Sequence, residues 1–228
     1  AREHAFAEKI YNSNYCTNLY VTNANPGILK LAESVNIDIT NFNDIKDSIL
    51  NLDISLVIVG PEIPLINGLF DFISNDVLLS GVSIIGPSKL GSKLEGSKDF
   101  AKNFMKKYNI PTASYKCFDK STVNKGIEFI NNSNPPYVLK ADGPAAGKGV
   151  IIVENRDDAI SNLKDMLLNL KFGKSSKKVV IEEFLDGIEM SCFVLFDGLN
   201  YKILPYAKDY KRISEGDRGL NTGGMGSV

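Results

Sequence analysis

The chain has 228 residues, of which 43% are hydrophobic and 23% are charged, and its formal net charge at pH 7 is -1. This length allows two ordinary domains with apolar cores, and the near-neutral charge argues against a protein that binds nucleic acids or membrane surfaces through a basic field. The three cysteines, Cys16, Cys117 and Cys192, lack C-x-x-C spacing and predict neither a disulfide framework nor a zinc site. Since no signal peptide or apolar membrane span is recognisable, we expect a cytoplasmic protein.

Short apolar runs alternate with helical patterns in the first part of the chain. The patterns predict helices at residues 2–11, 28–35, 44–52 and 65–79, and strands at residues 19–21, 37–39, 54–59 and 82–85. This alternation is typical of a parallel sheet with covering helices. Pro61 and Glu62 follow one of these strands, where open sheets bind ligands, so the carboxylate of Glu62 is placed to hold hydroxyl groups. The alternative is that this segment is only a tight turn.

An amphipathic helix is predicted at residues 97–108, with Ser97 as its N-cap and Lys98 in its first turn. A cation at that position opposes the helix dipole, so an anionic ligand explains Lys98 better than stability does. Residues 110–112 break the pattern and indicate a boundary. Further helices are predicted at residues 123–131 and after Asn155.

Residues 137–154, YVLKADGPAAGKGVIIVE, contain a glycine-rich loop between two apolar runs. Gly143, Gly147 and Gly149 allow backbone N–H groups to approach an anion, and Lys140 and Lys148 add positive charge. The spacing does not match a Walker A loop, and the β-branched run after the loop predicts a strand rather than the helix of a Rossmann fingerprint. We therefore predict an ATP phosphate clamp; the alternative is a mobile glycine hairpin with incidental lysines.

Two carboxylates border apolar runs in residues 179–196, VVIEEFLDGIEMSCFVLF. Glu182 follows three apolar residues, and Glu189 precedes another run. A buried carboxylate needs hydrogen bonds, which an adenine amino group, ribose hydroxyls or a lysine can supply. Residues 197–206 predict a hairpin. The cationic Lys211 and Arg212 then precede the glycine-rich residues 221–226, which is weak evidence for a second anion site.

With these residues in view, the sequence resembles the glycinamide ribonucleotide synthetase (phosphoribosylamine-glycine ligase) family of the ATP-grasp superfamily. The resemblance covers nearly the whole chain. It rests on REHA, IVGPEIPL, LEGSKDFAKNFM, IPTASY, LKADGPAAGKGVII, VVIEEFLDGIEMS, DYKR and NTGGMG, in that order.

The resemblance implies an α/β chain with an N-terminal open parallel-sheet (Rossmann-like) domain, an ATP-grasp lid domain and the start of the main ATP-grasp domain. The implied boundaries are residues 1–96 for the substrate domain, 97–115 for a connecting helix, 116–185 for the lid and 186–228 for the incomplete main domain. Because the chain opens on a helix and stops in a glycine-rich segment, we expect a piece of a longer protein.

The family reaction joins glycine to 5-phosphoribosylamine through a glycyl phosphate and yields glycinamide ribonucleotide, ADP and phosphate in purine biosynthesis. ATP is the implied nucleotide, with Mg²⁺ or Mn²⁺ bound by residues outside this chain, so no metal ligand is assigned. Two alternatives remain: another ATP-grasp carboxylate-amine ligase, or a non-catalytic nucleotide-binding module.

The residues that the resemblance implies fall into three sets. The catalytic residues are Lys140, Lys148 and Arg212. The nucleotide-binding residues are Lys98, Lys140, Gly143, Gly147, Lys148, Gly149, Glu182, Glu183, Phe184, Leu185 and Glu189, with Glu182 at adenine and Glu189 at ribose. The substrate-binding residues are Pro61, Glu62, Asp209, Lys211, Asn221, Thr222 and Gly223. In this assignment the loop with Lys140 lies opposite the segment from Glu182 to Glu189. Tyr210 replaces the family histidine of the DHKR motif, and Pro144 stands where leucine is usual.

Overall fold

A computed structural model of the chain describes residues 2–145, 147–216 and 218–228. Within these ranges, the side chains of residues 2, 218–221 and 223–224 are outside the description. The chain forms two compact units, Ala1–Gly96 and Ser97–Val228. In the described ranges, no helix is long and apolar enough to cross a membrane.

The first unit contains short parallel strands and covering helices. Its elements are α1 (Arg2–Tyr11), β1 (Tyr20–Thr22), a 3₁₀ helix (Ile28–Lys30), β2 (Glu33–Val35), α2 (Phe42–Asn51), β3 (Leu56–Ile58), α3 (Glu62–Asn67), α4 (Leu69–Asn75), a 3₁₀ helix (Val77–Leu79), β4 (Ser83–Ile85) and α5 (Lys93–Gly96). β1 pairs with β2 and β3 with β4, both in parallel, which confirms the predicted parallel pairing. Buried side chains of α2, α4 and the second 3₁₀ helix form the core: Ile45, Ile49, Leu69, Ile73 and Leu79.

Three predictions in this unit were wrong. The predicted helix at residues 28–35 is one 3₁₀ turn followed by β2, because the N–H of Glu33 donates to the carbonyl of Leu19 and joins the ladder with β1. The predicted strand at residues 37–39 is irregular chain. The single helix predicted at residues 65–79 is divided at Gly68, whose φ of 105° lies in the left-handed region that glycine favours and ends α3.

The second unit begins with a four-stranded antiparallel sheet and its helices. Its elements are α6 (Lys98–Lys107), β5 (Tyr115–Asp119), a 3₁₀ helix (Lys120–Thr122), α7 (Val123–Asn131), β6 (Tyr137–Ala141), β7 (Val150–Val153), α8 (Arg156–Leu168), a 3₁₀ helix (Gly173–Lys177) and β8 (Lys178–Glu183). The strand order is β5-β8-β6-β7. The helix predicted at residues 123–131 is confirmed. The side chain of Asn155 accepts from the N–H groups of Asp157 and Asp158 and caps α8 as expected.

One face of this sheet packs against α7 and α8 and forms the largest core of the unit. Leu139 of β6 and Ile181 of β8 meet Ile130 of α7 and Leu163 of α8, and all four side chains are nearly inaccessible to solvent. Since side chains alternate along a strand, the residues next to Leu139 and Ile181 point to the opposite face. Lys140 and Glu182 therefore project from that second face.

Two antiparallel hairpins complete the chain. They are β9 (Val194–Phe196) with β10 (Tyr201–Ile203), and β11 (Asp209–Ser214) with β12 (Arg218–Ser227). The first is the hairpin that the sequence predicts around residues 197–206. Its strand residues are exposed.

Candidate functional site

The glycine-rich loop connects two adjacent antiparallel strands, β6 and β7, so the predicted strand-loop-strand arrangement is confirmed. The N–H of Ala141 donates to the carbonyl of Gly149 at 2.8 Å and closes the base of the loop. Gly149 is buried, and a β-carbon there would lie 2.7 Å from Cβ of Ala145. Gly147 has a φ of 76°, which glycine adopts without strain. The loop conformation therefore depends on at least these two glycines.

The side of the loop nearest β6 is fixed to the 3₁₀ helix Gly173–Lys177 and to α6. The N–H of Gly143 donates to the carbonyl of Ser175 at 3.1 Å. Ser97 caps α6 as predicted, since its Oγ accepts from the N–H of Phe100 at 3.1 Å. The same Oγ donates to the carboxylate of Asp142 at 3.0 Å, which also accepts from the N–H of Asp99 at 2.8 Å.

These contacts hold Lys98 at the base of the loop. Its Nζ lies 3.4 Å from the carbonyl oxygen of Asp142 and 3.5 Å from that of Gly143. Lys98, predicted from its unfavourable position on the helix dipole, is thus adjacent to the predicted clamp. Asp142 was not predicted.

Replacing Asp142 with alanine is expected to lower the free energy of unfolding by about 1–2 kcal/mol, because a carboxylate that serves the first turn of α6 is lost. Chemical denaturation followed by circular dichroism measures this effect. Asp157→Ala is the matched control, since Asp157 is an exposed acid in the first turn of α8. Equal stability of the two variants would contradict the capping role.

A carboxylate shared by two lysines lies on the second face of the sheet. Glu182 is only 8% exposed, and its Oε1 forms an ion pair with Nζ of Lys140. Its Oε2 lies 2.7 Å from Nζ of Lys102. Burial raises the pKa of the Glu182 carboxyl, but the two lysines outweigh burial and hold the pKa below its ordinary value of 4.5.

The contact between Lys140 and Glu182 corrects the predicted arrangement in which these residues face each other from opposite sides of the site. β6 and β8 are neighbours, with Val138 paired to Glu182 and Lys140 paired to Val180. Lys140 and Glu182 are diagonal neighbours on one face, close enough for long side chains to meet. The two charges therefore belong to one surface.

The predicted residues after Glu182 lie at the end of β8. The carboxylate of Glu183 accepts from Oγ of Ser114 at 2.7 Å, and this hydrogen bond lowers its pKa. Phe184 and Leu185 are exposed. Their backbone groups follow the strand that carries Glu182, and the adenine contact stays a prediction.

Other predicted residues form a second cluster on β11, on β12 and on the segment between β8 and β9. Nζ of Lys211 lies 2.6 Å from Glu189 Oε1 and 3.2 Å from Asp209 Oδ2. Asp209 Oδ1 is buried and has no hydrogen-bond partner within the described residues. Oγ1 of Thr222 donates to the carbonyl of Lys211 at 2.8 Å.

The remaining predicted site residues of the second unit lie on β11, on β12 and in the glycine-rich loop. Arg212 on β11 and Lys148 in the loop are exposed. A β-carbon on Gly147 would lie 3.8 Å from the carbonyl oxygen of Thr222, which links the loop to β12. Asn221 on β12 is paired with Arg212 on the neighbouring strand β11. The side-chain environments of Asn221 and Gly223 lie outside the described residues.

The first unit has a cavity of about 310 Å³ beyond the carboxyl ends of β3 and β4. Its lining residues are Gly60, Glu62, Leu65, Ile66, Pro87, Ser92 and Glu95. Glu62 is thus at a cavity, whereas its predicted neighbour Pro61 is not among the lining residues and instead precedes α3 as its N-cap.

Sequence reasoning missed Lys102 and Asp142. Lys102 follows Lys98 by one helical turn, so both lie on one side of α6, and this spacing was the available signal. For metal binding, no group of three or more His, Cys, Asp or Glu side chains with suitable positions occurs in the described part of the chain.

Comparisons with known proteins cover both units. A family model described as "Phosphoribosylglycinamide synthetase, N domain" matches residues 1–95, and one described as "Phosphoribosylglycinamide synthetase, ATP-grasp (A) domain" matches residues 96–228. The chain is 42% identical over 226 residues to the phosphoribosylamine--glycine ligase of Neisseria meningitidis serogroup B, covering 99% of this chain and 52% of that protein.

Two further relatives agree. The chain is 41% identical over 230 residues to a bifunctional purine biosynthetic protein of Pichia angusta, covering 99% of this chain and 28% of that protein. The crystal structure of phosphoribosylamine--glycine ligase from Thermotoga maritima matches with a TM-score of 0.78 and 32% identity, covering 99% of this chain and 52% of that one. The chain thus spans about half the length of these single-function relatives. Two adjoining family matches and the shared fold together establish that the chain belongs to the phosphoribosylglycinamide synthetase family, whose second unit is an ATP-grasp domain.

Proposed function

We propose that the protein carrying this chain is an ATP-dependent ligase that joins glycine to 5-phosphoribosylamine and releases glycinamide ribonucleotide, ADP and phosphate, as a step of purine biosynthesis in the cytoplasm. Within it, residues 1–96 bind phosphoribosylamine and residues 97–115 connect to the lid. Residues 116–185 form the lid, and residues 186–228 begin the main ATP-grasp domain.

The observation that carries the proposal is the grouping of Lys98, Lys140 and Glu182 around the glycine-rich loop. We place the two ammonium groups at the phosphate oxygens, where preorganised positive charge stabilises phosphoryl transfer. Glu182 and the backbone of Phe184 and Leu185 provide groups for the adenine edge. Glu189, whose side chain is 73% exposed, is accessible to ribose hydroxyls.

Bound ATP supplies the phosphoryl group that activates the carboxylate of glycine. The chain's own residues bind and orient the reactants: Lys140 and Lys148 lie at the two ends of the loop, and Arg212 adds a third cation from β11. We propose that the ligands of Mg²⁺ or Mn²⁺ belong to residues of the protein outside this chain, and we assign no step to the metal.

The substrate sites that we propose rest on two features. Glu62 lines the cavity of the first unit, where its carboxylate can accept from ribose hydroxyls. Asp209 Oδ1 is buried and has no hydrogen-bond partner among the described residues, so it suits a substrate amine or hydroxyl donor. We place Lys211, Asn221, Thr222 and Gly223 in the same substrate region.

The experiment that tests the function is ADP release by a full-length protein containing these residues. Release is expected to require both glycine and 5-phosphoribosylamine. Equal release with another amino acid or another amine would favour a different ATP-grasp ligase. Nucleotide binding without ADP release would favour a non-catalytic nucleotide-binding module.

Gly149→Ala is expected to weaken ATP binding by about tenfold, because its new methyl group would collide with Ala145 in the same loop and force the loop to change conformation. Isothermal titration calorimetry on the chain measures the dissociation constant. Gly81→Ala is the control, since a β-carbon there has nothing within 4 Å. If the two variants bind ATP equally well, the loop geometry does not govern nucleotide affinity.

A further inference from the structure

Lys102 is a buried cation without a role in the proposed chemistry. It is 8% exposed, and it is the buried residue of α6, whose other residues are half-buried or exposed. Burying an unpaired ammonium is costly, so its partners indicate what it does. They lie on the loop before β5, on β5 itself and on β8.

The surroundings of Lys102 fix its ammonium group from several directions. Nζ donates to Oγ1 of Thr112 at 2.8 Å and to the carbonyl of Ala113 at 3.3 Å. It lies 5.4 Å from the ring centroid of Tyr115 and 2.7 Å from Glu182 Oε2. This number of partners leaves Lys102 little freedom to follow a ligand.

Lys140 differs from Lys102 in exposure, although both pair with the same carboxylate. The side chain of Lys140 is 30% exposed, against 10% for Lys102 and 6% for Glu182. Three formal charges, two positive and one negative, leave one positive charge on this surface. The more exposed lysine is the one beside the glycine-rich loop.

We propose that Lys102 is a positioning residue that neutralises and fixes Glu182, so that the ammonium group of Lys140 remains available for an anionic group of the nucleotide. With Lys102 removed, Lys140 becomes the sole counterion of a buried carboxylate and is retained by it. The anionic ligand is the polyphosphate of ATP, and this part of the inference rests on the proposed function.

The test measures Lys140 directly, without a nucleotide. Reductive methylation with formaldehyde and a borohydride, followed by mass spectrometry, reports the reaction rate of each lysine. Lys102→Met is expected to slow methylation of Lys140 several-fold, because the ammonium group is held more tightly. Lys102→Arg keeps the positive charge and is expected to retain the wild-type rate. Lys125, exposed on α7, is the internal reference.

Removing the negative charge of Glu182 is expected to have the opposite effect on the methylation rate of Lys140. Glu182→Gln is expected to raise the methylation rate of Lys140, and the double variant Lys102→Met with Glu182→Gln is expected to return it at least to the wild-type rate. If Lys102→Met does not fold, Lys102→Gln, which removes the charge but keeps a donor for Thr112 and Ala113, takes its place. A rate for Lys140 that is unchanged in these variants would overturn the proposal.

Calorimetry with ATP distinguishes a failure of the positioning role of Lys102 from a failure of the proposed function. Lys102→Met is expected to raise the dissociation constant of ATP by about tenfold, with Thr112→Val as a control that keeps both charges. An unchanged dissociation constant for Lys102→Met would overturn the positioning role. If the full-length wild-type protein binds no ATP while the methylation rates change as expected, the proposed function fails and the charge sharing stands.

Discussion

Lys140→Met is expected to weaken ATP binding by about 10- to 100-fold, since a charged donor to phosphate is lost. Glu182 keeps Lys102 as a partner in this variant, so the fold should be retained. Isothermal titration calorimetry on the 228-residue chain measures the dissociation constant.

The control for this experiment is Lys125→Met, which removes an exposed lysine from α7. Its ATP affinity is expected to match that of the wild-type chain. Unchanged affinity in Lys140→Met, together with circular dichroism that shows a folded protein, would remove Lys140 from the phosphate site.

Glu182→Leu is expected to lower the free energy of unfolding by about 3–5 kcal/mol, because it leaves two lysines without their buried counterion. Urea denaturation followed by circular dichroism measures this loss. Glu183→Leu is the control: Glu183 is exposed, so its replacement is expected to leave the free energy of unfolding nearly unchanged. If Glu182→Leu is as stable as Glu183→Leu, the buried ion pairs do not stabilise the second unit.

The carboxylate of Glu182 also makes the free energy of unfolding depend on pH in a defined direction. Because the pKa of Glu182 in the folded chain lies below 4.5, its contribution to stability is present above pH 4.5. It is lost as the pH falls from 4.5 through that lower folded pKa. In Glu182→Gln this component is absent, so the stability difference between wild type and variant should shrink over that acid range.

The sequence was sufficient for elements with strong local signals. The helix at residues 123–131, the caps Ser97 and Asn155, and the strands on both sides of the glycine-rich loop are all found in the structure. Each depends on periodicity or on a side chain that bonds to a nearby N–H group. Such features are determined within a few residues.

The errors occurred where distant residues or a single glycine decide the outcome. Residues 33–35 form a strand because β1 lies beside them, and Gly68 divides a helical pattern that is otherwise continuous. The ion pair between Lys102 and Glu182 joins residues that are 80 positions apart in the sequence (182 − 102). No local pattern specifies such a pairing, whereas the composition around Glu182 did indicate that a buried carboxylate needs a partner.

The most direct test of the account is whether ATP protects the lysines of the glycine-rich site. The chain is methylated with and without ATP, at a concentration where calorimetry shows binding, and the lysines are compared by mass spectrometry. We predict slower methylation of Lys98 and Lys140, with no change at Lys125. Equal rates for Lys98 and Lys140 with and without bound ATP would contradict the proposed nucleotide site.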